Sequence, residues 1–271
     1  MLYTCFFVFI CTFISCHSSS SKNGEFVQPG DDPNFKIVPH EDPGFTATNR
    51  KVVVFGIPIY AYANVEDKKL LHAANILAQY LDNDEDGTVD HQGLLTTLIK
   101  NRAVLFMWKT EEQISLNAQD LGADETRPDW HTAKSSTPFD ASLEEVWHVI
   151  THSGYSKLYP QLSEEVGSDL TNAMDKARGG QFFSIPKTYP SNAWYTYNDK
   201  TCKYSCMATE YFYWALTSYL GAHNYREMEI KHEWKLNTRE KLSKQDTTIY
   251  KLLSDTRYKF PKTLPDGTYK H

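Results

Sequence analysis

Apolar positions along this chain follow two periodicities, which predict a helix-rich fold with a small sheet. From Glu66 to Leu81, the residues Leu70, Leu71, Ala74, Leu77, Ala78 and Leu81 recur at helical spacing. A shorter helix is expected over 92–100. The run from Lys51 to Tyr60 is rich in β-branched residues and predicts a strand, with Pro58 placing its end at a sheet edge or bulge. Ala103 to Trp108 reads as a second strand, and 110–138 as mostly loop. A helix is expected to begin at Asp140 or Ser142, either of which can cap it, and another runs from Ser163 to Arg178 and stops at Gly179 and Gly180. Two more are predicted from Met207 to Leu220, ending at Gly221, and from Lys235 to Ser254. No internal repeat is visible. The expected class is α+β, a helix-rich single domain with a small sheet.

Composition adds bounds to this pattern. A chain of 271 residues with 41% hydrophobic and 14% aromatic content is globular and long enough for a sizeable core. Its net charge of -6, with no run of Lys and Arg, excludes a nucleic-acid binder. Leu2 to Ile14 is uncharged and apolar, the length of a signal-peptide core and too short to span a bilayer, so no membrane span is expected. The expected organisation is a signal peptide over 1–17, an extended polar lead-in over 18–48 and one globular domain over 49–271. That domain contains a calcium-loop helix pair (65–100) and a metal-site region (140–221). The resulting location is secreted or extracellular. A second reading stays open: Phe13 to Cys16 resembles a bacterial lipobox, with Cys16 as a lipid anchor at the cell surface. Beyond the leader only Cys202 and Cys206 are left, and an even pair in an oxidising compartment predicts a disulfide.

The most specific short motif is acidic. Asp82, Asp84 and Asp86 alternate, Gly87 follows, Thr88 offers a backbone carbonyl and Asp90 stands at the ninth position. Oxygen ligands at alternate positions can turn inward on one hard cation, and a glycine permits the sharp bend. This stretch resembles the first half of an EF-hand calcium loop. Position twelve departs from that pattern, because Gly93 stands where a bidentate glutamate would. Ca²⁺ is the expected ion; an acidic turn with no ion is the alternative.

The segment from Leu143 to Gly154 carries the second motif. On a helical wheel Leu143, Val146, Trp147, Ile150 and Gly154 form one apolar stripe. Glu144, Glu145, His148 and His152 gather on the opposite face, which is either solvated or lines a cleft. Ser142 with Glu145 also fits a capping box. Farther on, Glu210 is the only charge in an aromatic segment from Ala208 to Leu220, and a buried carboxylate needs a cation or strong donors beside it. Either Arg178 or Lys203 could pair with it, or it could join the histidines.

A histidine pair four apart on one helix, followed by a Glu on a later helix, resembles the gluzincin group of zinc metallopeptidases. The resemblance covers about 143–213 and implies a zincin-like fold with His148, His152 and Glu210 as ligands of Zn²⁺ or another transition metal. It supplies no general base, since Val149 stands where that family has its glutamate. Glu145 is the substitute on the same face, as base or as ligand, with Tyr155 or Tyr213 as oxyanion donors. The leading expectation is an exported metal-binding protein acting as a zinc-dependent, peptidase-like hydrolase with a structural calcium site. The alternative is a non-catalytic secreted calcium-binding structural or matrix protein. A third reading is a binding module whose Tyr- and Trp-rich segment 189–214 contacts a partner.

Overall fold

The apolar run 51–60 folds back on itself instead of forming one strand. It makes antiparallel β2 (Arg50–Val54) and β3 (Ile57–Ala61), with Val54 opposite Ile57. The two residues between them, Phe55 and Gly56, take φ of 48° and 89°, the left-handed pair that a tight hairpin turn needs. Phe55 gives no turn signal, which is why the bend is invisible in the sequence. Pro58 therefore lies within β3, not at an edge. The parallel ladder from β3 to β4 (Leu105–Trp108) begins at Ile59, one residue later, so the missing proline N–H falls outside it.

The computed structural model describes residues 34–133 and 137–271. The expected signal segment, Cys16 and the first part of the lead-in lie outside the described residues. Within them the fold is α+β. Its mixed sheet runs in the order β1-β2-β3-β4-β5, where β1 is Val38–Pro39 and β5 is Gln119–Gly122. β1 pairs antiparallel with β2, so the end of the lead-in joins the sheet edge; β5 pairs parallel with β4. β5 arises inside a stretch expected to be loop, because Gln119 and Asp120 break any apolar alternation.

The β3-to-β4 crossover carries α1 (Asp67–Leu81), the acidic loop and α2 (Gln92–Lys100), close to the expected bounds. After β5 come α3 (Trp130–Ala133) and α4 (Ser142–Ile150), then a π-helical turn over Thr151–Tyr155 and the single turn α5 (Ser156–Leu158). α6 (Asp169–Arg178) starts later than expected, where Ser168 Oγ accepts from Thr171 N, and ends on left-handed Gly179. α7 (Tyr204–Tyr219) begins one turn earlier than expected.

The single helix expected over 235–254 is two, α9 (Arg239–Gln245) and α10 (Thr247–Ser254), after a short α8 (Glu227–Ile230). Asp246 makes the break. Its buried carboxylate accepts from Ile249 N at the start of α10, from Trp194 Nε1 at 2.9 Å and from Tyr211 OH at 2.6 Å. Those bonds hold the chain out of helical register at that residue.

Candidate metal centre

α4 is amphipathic in the sense the wheel predicts, but its polar face is not solvated. Leu143, Val146, Trp147 and Ile150 are fully buried. Trp147 meets the rings of Tyr80, Tyr155, Phe212 and Phe260 and fixes the rotation of the helix. That rotation turns Glu144, Glu145 and His148 toward α7 and β5. His148 is only 4% exposed. The capping box does not form: Ser142 is already helical, and its Oγ donates to Asp140 Oδ2 at 2.6 Å.

Glu144, His148 and Glu210 form a group whose ligand atoms all lie within 4.8 Å of one another. His148 Nε2 is 3.6 Å from Glu210 Oε2, and His148 Nδ1 is 3.4 Å from Glu145 Oε2. The two nitrogens thus face different carboxylates. Gln119 Nε2, on β5, donates to Glu145 and holds it on the Nδ1 side. Tyr213 bonds the Glu144 carboxylate, and Tyr197 bonds that of Glu210. His148 Nε2 is buried and has no hydrogen-bond partner, since 3.6 Å is too long for one.

The electrostatics of the group are strongly perturbed. Burial, reinforced by Glu210 and Glu145, pushes Glu144 well above the usual carboxylate range. Burial also raises Glu210, against the opposing pull of His148. Burial disfavours a charged imidazole, yet Glu210, Glu145 and Glu144 outweigh it and hold His148 up to about 10. Burial raises Glu233 to about 6, with Glu210 adding to the effect. The arrangement gathers more negative charge than buried groups carry unless protons or a metal neutralise it. One imidazole and two carboxylates are donors that zinc and similar ions accept.

Not every residue the sequence nominated joins this group. His152 lies past the end of the α-helical phase, in the π turn, and its Nδ1 meets Glu164 at 2.8 Å while 62% of its side chain is exposed. Glu164, in the loop before α6, is buried and anchored by Thr209 Oγ1 of α7 at 2.9 Å, so His152 is engaged outside the cluster. Tyr155 OH donates to Tyr258 O at 3.1 Å within the core and does not reach the cluster. Tyr213 does: its ring meets His148 edge-on at 5.9 Å. Among the described residues no arginine pairs with Glu210; buried Arg178 is engaged by Asp175, Phe182 O and Met207. Glu144, which the wheel put on the face of His148 without marking it as a ligand, belongs to the group, and so does Tyr197, for which there was no signal.

An open cavity of about 720 Å³ adjoins the centre. Tyr197 and Glu233 stand on its wall, with Lys187, Tyr189, Lys200 and His232 around them. Tyr197, bonded to Glu210, is the side chain common to cavity and cluster.

The acidic loop is a separate group, in which Asp82, Asp84 and Asp86 converge. Asp82 is buried and accepts from Asp86 N at 3.2 Å and Gly87 N at 2.8 Å, while Gly87 takes φ +86. Asp90 Oδ2 accepts from Asn83 N at 2.9 Å and closes the loop. Tyr269 OH also donates to Asp82. Asp84 is raised by desolvation and by Asp90, Asp86 and Asp82. Thr88 is exposed and donates its N–H to Asp86 Oδ1 at 2.7 Å.

Cys202 and Cys206 are joined in a disulfide, with Cα atoms 5.4 Å apart. The bridge ties the residue before the N-cap of α7 to its first turn, and Glu210 follows one turn later on the same face.

Comparisons with protein-family models, with characterised proteins and with solved structures find no match.

Proposed function

We propose that this chain is an exported metal-binding protein whose Glu144, His148 and Glu210 hold a divalent transition ion, zinc by preference, at a hydrolytic centre. The reading is zincin-like in its ligand types, with Glu144 in the place where the resemblance implied His152. The observation that carries it is the unpartnered, buried Nε2 of His148, with ligand atoms of Glu144 and Glu210 gathered within 4.8 Å. A divalent ion there would supply Lewis acidity toward a carbonyl and toward water.

The protein's own groups have definable tasks beside it. Glu145 orients His148: a carboxylate at Nδ1 keeps the proton there and leaves Nε2 free as a donor atom to a metal. Tyr213, bonded to the Glu144 carboxylate, would hold that ligand in place at the edge of the cluster. Tyr197 holds Glu210 and borders the cavity, where a peptide-sized substrate can approach. In the acidic loop Ca²⁺ is the proposed ion, supported by the Asp82 bonds to Asp86 N and Gly87 N and by left-handed Gly87. Export is supported by the disulfide.

Glu145→Gln is expected to weaken zinc binding by about 10- to 100-fold, the usual cost of losing an orienting carboxylate. Cleavage of an unstructured peptide mixture by the zinc-loaded chain, abolished by a chelator, tests the hydrolytic part. No cleavage at saturating zinc would return the chain to the non-catalytic calcium-binding reading. For the loop, Asp84→Ala with Asp86→Ala is expected to remove the rise in melting temperature that Ca²⁺ gives the wild type. At about 100 times Kd that rise corresponds to about 2.7 kcal/mol. Equal melting points with Ca²⁺ and with chelator in the wild type would remove the calcium assignment.

A further inference from the structure

A second cluster, sharing no residue with the first, sits where α1 and α3 meet the start of α4. His72 comes from α1, His131 from α3, and Asp140 lies two residues before α4. Nε2 of His72 and Nε2 of His131 each lie 2.7 Å from the same atom, Asp140 Oδ2. The imidazoles are 5.4 Å apart and tilted at 55°, so they do not stack; they aim their edges at one point. Asp140 is fully buried, His72 is 5% exposed, and only 7% of the His131 side chain is exposed.

The carboxylate does not need both histidines to be satisfied. Ser142 Oγ donates to Oδ2 at 2.6 Å, while Arg127 N and Ser142 N reach Oδ1 at 2.9 and 3.3 Å. Three donors already anchor it, and two imidazoles on one oxygen exceed what anchoring requires. Two imidazoles and a carboxylate converging within 4.8 Å are instead the donor set of a borderline transition ion, and not of Ca²⁺ or Mg²⁺.

We propose that His72, His131 and Asp140 form a second transition-metal site, structural in role, with zinc as its ion. The three side chains leave one tetrahedral position for a water, and their burial leaves a substrate no approach to it, which suits a structural role. The ion would tie α1, α3 and the start of α4 together and so fix the helix that carries His148. The C-terminal segment covers the cluster. Asp266 N and Gly267 N are held by Gln79 Oε1 at 2.9 and 2.8 Å. Gly267 lies directly against His72: a β-carbon there would come within 2.1 Å of Nδ1, and φ is +80°. Only glycine lets the chain close over that ring.

The test uses the full chain with His148→Ala, which disables the first centre, in excess Ca²⁺ to occupy the acidic loop. After chelator treatment and dialysis it is titrated with Zn²⁺ alone. About one zinc per chain is expected, and zinc-edge X-ray absorption is expected to show two imidazole nitrogens around it. Adding His131→Gln is expected to weaken that binding by about 100-fold or more, with unchanged circular dichroism. No zinc bound, a shell without two imidazoles, or indifference to His131→Gln overturns the proposal. If His131→Gln does not fold, the absorption spectrum of the chain with an intact cluster decides alone. If His148→Ala does not fold, the wild type is measured instead. It is then expected to bind about two zinc ions with a mean of about one and a half imidazoles each, and a mean of one or fewer overturns the proposal.

Discussion

Replacing His148 with alanine is expected to cut zinc affinity at the α4–α7 centre by about 100-fold or more, while His152→Ala changes it by about twofold at most. Loss of an orienting carboxylate alone costs about 10- to 100-fold, and a ligand outweighs its orienting partner. His148 is the only imidazole in that cluster, and its Nε2 has no other partner to lose. His152 is turned to Glu164 and mostly exposed, so its removal costs one hydrogen bond outside the cluster. Competition titrations against a chromophoric chelator read both values. Equal losses from the two substitutions would restore the paired-histidine arrangement that the sequence suggested and remove Glu144 from the ligand set.

The second large effect is on pH dependence. In the chelator-treated chain, thermal stability is expected to fall as pH rises from about 5 to 8, with a slope of up to about 1.4 kcal/mol per pH unit for each proton the folded state retains. The sign follows from the direction of the shifts. Glu144 and Glu210 are raised by burial, and Glu233 by burial to about 6. Each then holds a proton in the folded chain after the unfolded chain has released it, so their contribution is lost as pH rises above the ordinary carboxylate range. His148, held up to about 10 by Glu210, Glu145 and Glu144 against burial, acts in the same direction above the ordinary imidazole range. The opposite case, Asp140, is held far below its usual value: burial alone would raise it, but His72 and His131 prevail. Its contribution is lost only in stronger acid. A metal ion replaces those retained protons, so the stabilisation by Zn²⁺ should grow with pH and flatten the curve. Melting curves at several pH values, with zinc and with chelator, would count against the centre if the two sets ran parallel.

Legibility differed by the range of the interactions involved. α1 and α2 are legible because local spacing marks their apolar positions, although α1 is buried all round from Leu70 to Leu81 while α2 buries only Leu94 and Leu98. The turn at Phe55 and Gly56 does not appear because Phe55 carries no turn signal, and the break at Asp246 does not because tertiary partners impose it. At Asp246 those partners are Trp194 and Tyr211, distant in the chain. The centre was half legible. The wheel correctly put Glu144, Glu145 and His148 on one face, and the isolated charge of Glu210 marked it as needing a partner. The wheel assumed an unbroken α-helix through His152, which the π turn at Thr151 ends. The convergence of His72, His131 and Asp140 had no local signal, because α1 and the start of α4 meet only through tertiary folding.

α4 has no free side. From Ser142 to Ile150 every residue is buried or partly buried, with Trp147 locked in rings and His148 in carboxylates. A helix of this kind cannot drift. A substitution that loosens the apolar stripe rotates the ligands, and one that empties the cluster leaves repelling carboxylates pressing on the stripe. Foldability and chemistry are therefore a single inherited trait in this segment, and changes there must arrive in compensating sets.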